Sequence, residues 1–351
     1  MYTLVDILHD MANINLYCGI KSQYKSVALS LSLIIIINFV QKTCHTSMEQ
    51  SHFLSKSSAS LQTEQEHEEE GYQRVHQQCR DLVSSLPIVE GCSIMELCFH
   101  DGFFQPIPVM VGSMMVQKLF EARPTDIIMA TLPKSGTTWL KALLFATVNR
   151  NSSPSPTGNL ATLNPHQCVP FLEGELYGDG VRVPEMDSIP SPRLLATHIP
   201  FHFLPNSVVD SGCRVVYLCR NPKDNIVSYW HFISKLRKKN GREPLPLDVC
   251  FDRFCQGRSH SGPLWDHMLG YWKASLRVGG CNVLFMRYEE LMKDPAAELK
   301  RVAEVRGLSL HAGGAGERGG GGHRRDVRVR EAEQLGGEQC RKTNLVSHNG
   351  R

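Results

Sequence analysis

Within one seven-residue stretch, Pro133-Lys134-Ser135-Gly136-Thr137-Thr138-Trp139, the chain gathers a cation, three hydroxyls and a glycine. Before it, Asp126-Ile127-Ile128-Met129-Ala130-Thr131 is short, apolar and β-branched, as expected for a buried parallel strand. After it, Thr137 to Ala146 reads as a mostly apolar helix. A strand–turn–helix junction of this kind directs free backbone N–H groups and the positive end of a helix dipole at one point, where Lys134 adds a full charge. Gly136 permits close backbone approach, and hydroxyls can donate to oxyanion oxygens. The chemistry implied is the binding of a phosphate or sulfate group. The competing reading is an ordinary strand–turn–helix capped by a threonine. The Gly-x-x-x-x-Gly-Lys-Ser/Thr spacing of a Walker A loop is absent, which weighs against a P-loop kinase acting on small molecules.

Three further sites could serve such an anion. Cys213 to Cys219 is a second strand-like run, followed by Arg220 and then by helical periodicity from Asn225 to Lys239, with Ile226, Tyr229, Trp230 and Ile233 on one side. Arg220 at the strand end and Ser228 on the helix could together clamp a phosphate, although a lone strand-end Arg is more often a solvated charge. His198 closes the apolar run Leu194-Leu195-Ala196-Thr197 ahead of Pro200, and histidine is the side chain best suited to take a hydroxyl proton near neutral pH. The chain has 15 histidines, so type alone does not single it out. Asn282 to Glu290 reads as a strand ending in Arg287-Tyr288-Glu289-Glu290.

Pro133 through Trp139 resembles the 5′-phosphosulfate loop of the cytosolic sulfotransferases, and Val215 to Phe232 resembles that family's 3′-phosphate site. Thr197-His198-Ile199-Pro200 resembles the context of its catalytic base, and Arg287-Tyr288-Glu289-Glu290 its adenine contact. The resemblance covers Leu82 to Glu304. It is closest to plant members in three segments: His100 to Gln105, Asn164 to Glu173 and Ser261 to Trp272. It implies 3′-phosphoadenosine 5′-phosphosulfate (PAPS) as co-substrate, with Lys134, Ser135, Gly136, Thr137, Thr138 and Trp139 on the 5′ side. Arg220 and Ser228 would hold the 3′-phosphate and Tyr288 would touch the adenine. His198 would be the general base and Lys134 would stabilise charge on the transferring group; no metal is implied. The acceptor would be a small hydroxyl compound such as a flavonoid, hydroxyjasmonate, steroid or desulfoglucosinolate, and the enzyme would be cytoplasmic.

These candidates need elements to carry them. The alternation of strand and helix predicts an α/β fold, a mainly parallel central sheet flanked by helices, with the candidates at strand C-termini, where open sheets bind ligands. The family resemblance makes this a P-loop-like nucleotide-binding fold. A length of 351 residues and a net charge of +3, from 38 basic and 35 acidic residues, fit a large core and argue against nucleic acid as partner. The 12 cysteines show no Cys-x-x-Cys pair and read as reduced thiols. Residues 1–71 read as a low-order extension. Its apolar run from Ala28 to Val40 is shorter than the roughly 20 residues of a membrane-spanning helix, so stable membrane insertion is not expected.

Residues 72–304 form the predicted sulfotransferase domain. Residues 305–351 are Gly-, Arg- and Glu-rich, a composition unable to offset the entropy of ordering. Permissible codons for this tail, read one nucleotide on from Val305, can spell strings typical of plant sulfotransferases, which predicts a reading-frame shift there. The family's Ser-Phe adenine contact and its Arg-Lys-Gly…Gly-Asp-Trp segment do not occur in the tail. The expectation is therefore weak PAPS binding by this chain, or a non-catalytic remnant of the fold.

Overall fold

Alternate residues of four short strands divide the core into two halves, one on each side of a sheet. In a computed structural model of the protein, which describes residues 58–149, 160, 163–178, 180, 182–277 and 282–305, the sheet consists of β4 (Ile127–Thr131), β5 (Leu194–Thr197), β6 (Arg214–Cys219) and β7 (Asn282–Arg287). All four are parallel, in the order β5-β4-β6-β7. Strand side chains alternate between faces. Ile127, Met129, Val216, Leu218, Leu284 and Met286 therefore pack with Leu140, Leu143 and Leu144 of helix α3 (Thr137–Val148). Ile128, Ala130, Val215, Tyr217 and Phe285 enter the larger core on the opposite face.

That larger core is covered by α2 (Ile107–Leu119), α6 (Pro222–Lys239) and α8 (Leu264–Ser275). The expected face of α6 is buried at Ile226, Tyr229 and Ile233, joined by Phe232 and Leu236. Trp230 instead lies at its edge, its indole N–H donating to Leu245 O at 2.8 Å. Helix α1 (Ser58–Ser84) precedes a small antiparallel sheet, β1 (Ile88–Val89), β2 (Leu97–His100) and β3 (Phe103–Pro106). Asp101 and Gly102, at φ 47° and 84°, form the two-residue β2–β3 turn, where left-handed conformations match strand twist. Further α-helices are α4 (Pro165–Cys168), α5 (Asn206–Asp210), α7 (Leu247–Cys255), α9 (Tyr288–Lys293) and α10 (Pro295–Val305).

Three local differences from the sequence reading have physical causes. Asp126 does not extend β4; it forms a buried two-pronged ion pair with Arg193, at 2.8 Å and 2.5 Å, which ties the starts of β4 and β5 together. β7 ends at Arg287, so Tyr288 to Glu290 open a helix and do not continue the strand. Cys92 and Cys250 are joined as a disulfide, with Cα atoms 5.0 Å apart, where reduced thiols were expected. Among the described residues no helix is long and apolar enough to cross a membrane. The run from Ala28 to Val40 and the Gly-rich tail lie outside the described residues.

Candidate active site

β4 is the strand from which the sheet order departs in both directions, with β5 on one side and β6 on the other. A crevice forms at such a switch point, beyond the strand C-termini. The turn that leaves β4 there is Leu132-Pro133-Lys134-Ser135-Gly136. Its backbone is left-handed twice, at Lys134 (φ 69°) and at Gly136 (φ 103°), the residue that caps α3. Only the second is a glycine, so Lys134 sits in a conformation that costs a non-glycine residue energy and is over-represented at functional turns. Gly136 is required twice over: besides its φ, a Cβ there would lie 2.6 Å from Cδ2 of the Tyr288 ring.

Neighbouring elements hold the turn in this shape. Asn225, buried on α6, donates through Nδ2 to Pro133 O at 3.0 Å and to Ser135 Oγ at 3.1 Å. Arg220, directly after β6, donates through Nη1 to Lys134 O at 3.0 Å, and its guanidinium lies 4.7 Å over the Tyr288 ring. Its Nε is buried and has no hydrogen-bond partner among the described residues. Lys134 Nζ stands 4.7 Å over the Phe232 ring, and Trp139 meets Tyr288 edge-on at 6.4 Å.

The next strand end carries His198. Its Nδ1 lies 2.6 Å from Thr131 O, an oxygen that can only accept, so Nδ1 carries the hydrogen and Nε2 keeps a lone pair. Thr131 Oγ1 in turn lies 2.8 Å from Thr137 Oγ1 at the start of α3. The backbone N–H of His198 donates to Glu173 Oε1 at 2.6 Å and the Thr197 hydroxyl to Oε2 at 2.9 Å. Glu173 lies in a π-type turn, Leu172–Leu176, and Gly112 of α2 lets that backbone come close: a Cβ at 112 would be 2.0 Å from Glu173 O. Burial pushes the Glu173 carboxyl up to about 7.

Burial also holds His198 well below the ordinary histidine value, helped by His260 and Lys141 and opposed by its bond to Thr131. Its ring touches Phe171 at 4.6 Å and meets His260 edge-on at 5.7 Å. His260 lines a cavity of about 10 Å³ with Pro133, Asn225 and Tyr229, room for about one water. The β2–β3 hairpin docks on the loop that holds His260: Phe104 N donates to Gly262 O and Ser261 N to Phe104 O.

The structure thus gathers Lys134, Ser135, Gly136, Arg220, Tyr288 and His198 at one end of the sheet. Thr137 and Thr138 open α3. Ser228 lies half-buried on α6, and among the described residues no hydrogen bond joins it to Arg220. Asn225, Glu173 and His260 are site neighbours that sequence reasoning missed. An acidic residue inside the apolar stretch Val169-Pro170-Phe171-Leu172-Glu173 was the one usable hint.

Known proteins resemble this chain in sequence and fold. The sulfotransferase domain family model matches residues 124–319, running past Glu304 into the tail. Cytosolic sulfotransferase 12 of Arabidopsis thaliana is 46% identical over 239 residues, 67% of this chain and 72% of that protein. Cytosolic sulfotransferase 15 of the same plant is 42% identical over 64% of this chain and 63% of its own length. Among solved structures, an Arabidopsis thaliana putative steroid sulphotransferase superposes with a TM-score of 0.57 at 41% identity, over 73% of this chain and 83% of that one. A mouse sulfotransferase solved with PAP, at 24% identity and a TM-score of 0.50 over 68% of this chain and 73% of its own, shares the fold. With a family match over more than half its length and relatives this similar, the chain belongs to the sulfotransferase family, in its plant cytosolic branch.

Proposed function

We propose that the chain is built to transfer the sulfuryl group of PAPS to the hydroxyl of a small acceptor, with His198 as general base. One observation carries the reading: Arg220, the candidate 3′-phosphate ligand, donates directly to the carbonyl of Lys134 in the candidate 5′-phosphosulfate turn, so the two candidate anion sites adjoin. The residues fit the co-substrate. Arg220 Nε is a buried donor without a partner among the described residues, and Gly136 leaves the turn's N-terminal amides approachable. Tyr288 and Trp139 offer aromatic surface beside them. Ser228 is the remaining candidate 3′ ligand.

In this mechanism the acceptor hydroxyl gives its proton to His198 Nε2 as its oxygen attacks sulfur in line. The bond between sulfur and the phosphate's bridging oxygen breaks, and PAP leaves. Lys134, the amides at the start of α3 and the hydroxyls of Ser135, Thr137 and Thr138 stabilise the charge that builds on the bridging and sulfuryl oxygens. Such preorganised donors supply most of the rate in transfers of this type. Depression of the His198 value keeps its ring neutral, and so able to accept a proton, at physiological pH.

The acceptor is a small hydroxyl compound of the phenolic or steroid kind; the steroid class is the one that the name of the Arabidopsis putative steroid sulphotransferase suggests. The setting is cytoplasmic, as for the relatives named cytosolic. The tail lacks the family's Ser-Phe and Arg-Lys-Gly…Gly-Asp-Trp segments, so turnover by this chain is weak. Incubation with PAPS and a panel of flavonols, steroids and hydroxyjasmonates, read by mass spectrometry, tests the activity. Sulfated product that vanishes in His198→Ala supports it. Product formed equally by that variant refutes the base, and no product at any enzyme concentration favours a non-catalytic remnant.

A further inference from the structure

We infer that His166, held by Lys141, turns the hydroxyl of Thr138 so that its hydrogen faces the bound anion, which makes His166 and Lys141 positioning residues for the donor. The inference rests on the proposed reading of the β4–α3 turn as an anion site and adds to it a device outside the turn.

The chain of donors runs one way. Lys141, buried on α3, has its Nζ 2.7 Å from Val169 O and 3.2 Å from His166 Nδ1, and 3.5 Å over the Phe171 ring. An ammonium donates and never accepts. Nδ1 of His166 is therefore the acceptor, and in the neutral ring Nε2 carries the hydrogen. Nε2 lies 3.0 Å from Thr138 Oγ1, to which it donates. With a lone pair engaged from behind, the threonine's own O–H must point elsewhere.

A helical threonine often turns its hydroxyl back to the carbonyl four residues earlier. For Thr138 that is Lys134 O, which lies ahead of α3 in the left-handed turn, and among the described residues no hydrogen bond joins the Thr138 hydroxyl to it. The remaining direction is outward from the first turn of α3, where the backbone N–H groups also point. Burial and the nearby cations Lys141 and Lys134 push the His166 ring down to about 3, so it stays neutral at any working pH. Lys141 itself is lowered by burial to about 7; its neutral amine keeps a hydrogen for each of Val169 O and Nδ1 but gains a lone pair, so the His166 tautomer above that pH reports whether the direction holds. The backbone of His166 is fixed as well: α4 begins with a capping box in which Asn164 Oδ1 accepts His166 N and Gln167 Oε1 accepts Asn164 N.

The test uses the full chain labelled with 15N-histidine. Long-range proton–nitrogen spectra between pH 6 and 8 should show His166 as the neutral Nε2–H tautomer; the Nδ1–H tautomer would overturn the relay. PAP is then titrated into the same samples of wild type, His166→Ala, Thr138→Val and the double variant. The expected loss for His166→Ala is about three- to tenfold, the size of one hydrogen bond. In the Thr138→Val background the same change should cost nothing further. His166→Gln, whose amide can accept from Lys141 and donate to Thr138, should recover most of the loss. Full additivity of the two losses, or no recovery with glutamine, would show a merely structural histidine. Absence of any PAP-induced shift in wild type would instead refute the donor site itself, while the tautomer still decides the relay.

Discussion

Glu173 Oε1 accepts the backbone N–H of His198 at 2.6 Å, so a buried carboxyl group braces the backbone of the proposed base. Burial raises this carboxyl from 4.5 to about 7, so the folded chain keeps a proton that the unfolded chain has already released. A raised acid favours the fold at low pH, and that contribution is lost as pH climbs from 4.5 through about 7. The buried histidines act with the opposite sign. His260 and His267, lowered to about 4 and about 3 by burial, cost stability as pH falls below 6.5. Comparison with Glu173→Gln isolates the carboxyl. In denaturant titrations, the stability of wild type relative to that variant should fall by on the order of 3 kcal/mol from pH 4.5 to 7.5. A difference that does not move with pH would contradict the assignment.

Asn225 should govern the shape of the turn. Removing its two donated bonds in Asn225→Ala leaves a part-buried acceptor at Pro133 and a buried one at Ser135 and should cost about 1–3 kcal/mol by thermal denaturation. Asn225→Asp should weaken PAP more than the alanine variant does, because it removes both donors and brings a negative charge towards the anion. Equal PAP affinity in the two variants would argue that Asn225 lies apart from the donor.

Gly136→Ala carries two penalties, a left-handed φ of 103° and a Cβ within 2.6 Å of the Tyr288 ring. A loss of about 1–3 kcal/mol is expected from the backbone alone. The double variant Gly136→Ala/Tyr288→Ala relieves the ring contact and leaves the backbone strain. It should therefore be less destabilised than the sum of its single variants, measured by chemical denaturation. Strict additivity would mean that ring and turn are independent.

The parts of this site legible in the sequence are those written locally. An apolar run, a Gly-containing turn and an amphipathic helix specify β4, the Lys134 turn and α3 within a short window, and the same holds for β6 with Arg220. What was not legible depends on contacts between distant segments. Asn225 meets Ser135 across 90 residues, and nothing at either position announces the other. The bridge between Cys92 and Cys250 spans 158 residues, and its spacing matches no recognisable motif. His166 looks like any loop histidine until Lys141 is seen beside it. The apparent strand through Tyr288 failed because only the aromatic at 288 suits a strand; Glu289, Glu290, Leu291 and Met292 favour a helix, and Tyr288 packs over Gly136.

The proposed effect of the tail is on donor affinity. Each cationic contact to phosphate missing with the Arg-Lys-Gly…Gly-Asp-Trp segment should cost about 1.5–3 kcal/mol. A variant whose coding sequence is returned to frame at Val305 should bind PAP at least tenfold more tightly than the chain as written, by calorimetry. Equal affinity would show that the Gly-rich tail is not the impairment.

Calorimetric titration of PAP into wild type, Lys134→Met and Arg220→Ala tests most directly whether the two strand-end cations grip one nucleotide. Wild type should show a single saturable site, weaker than micromolar, and each variant should lose at least about tenfold, as for one charge-assisted contact. Micromolar or tighter binding by wild type would refute the weakening assigned to the tail. Unchanged affinity in either variant would contradict the shared site.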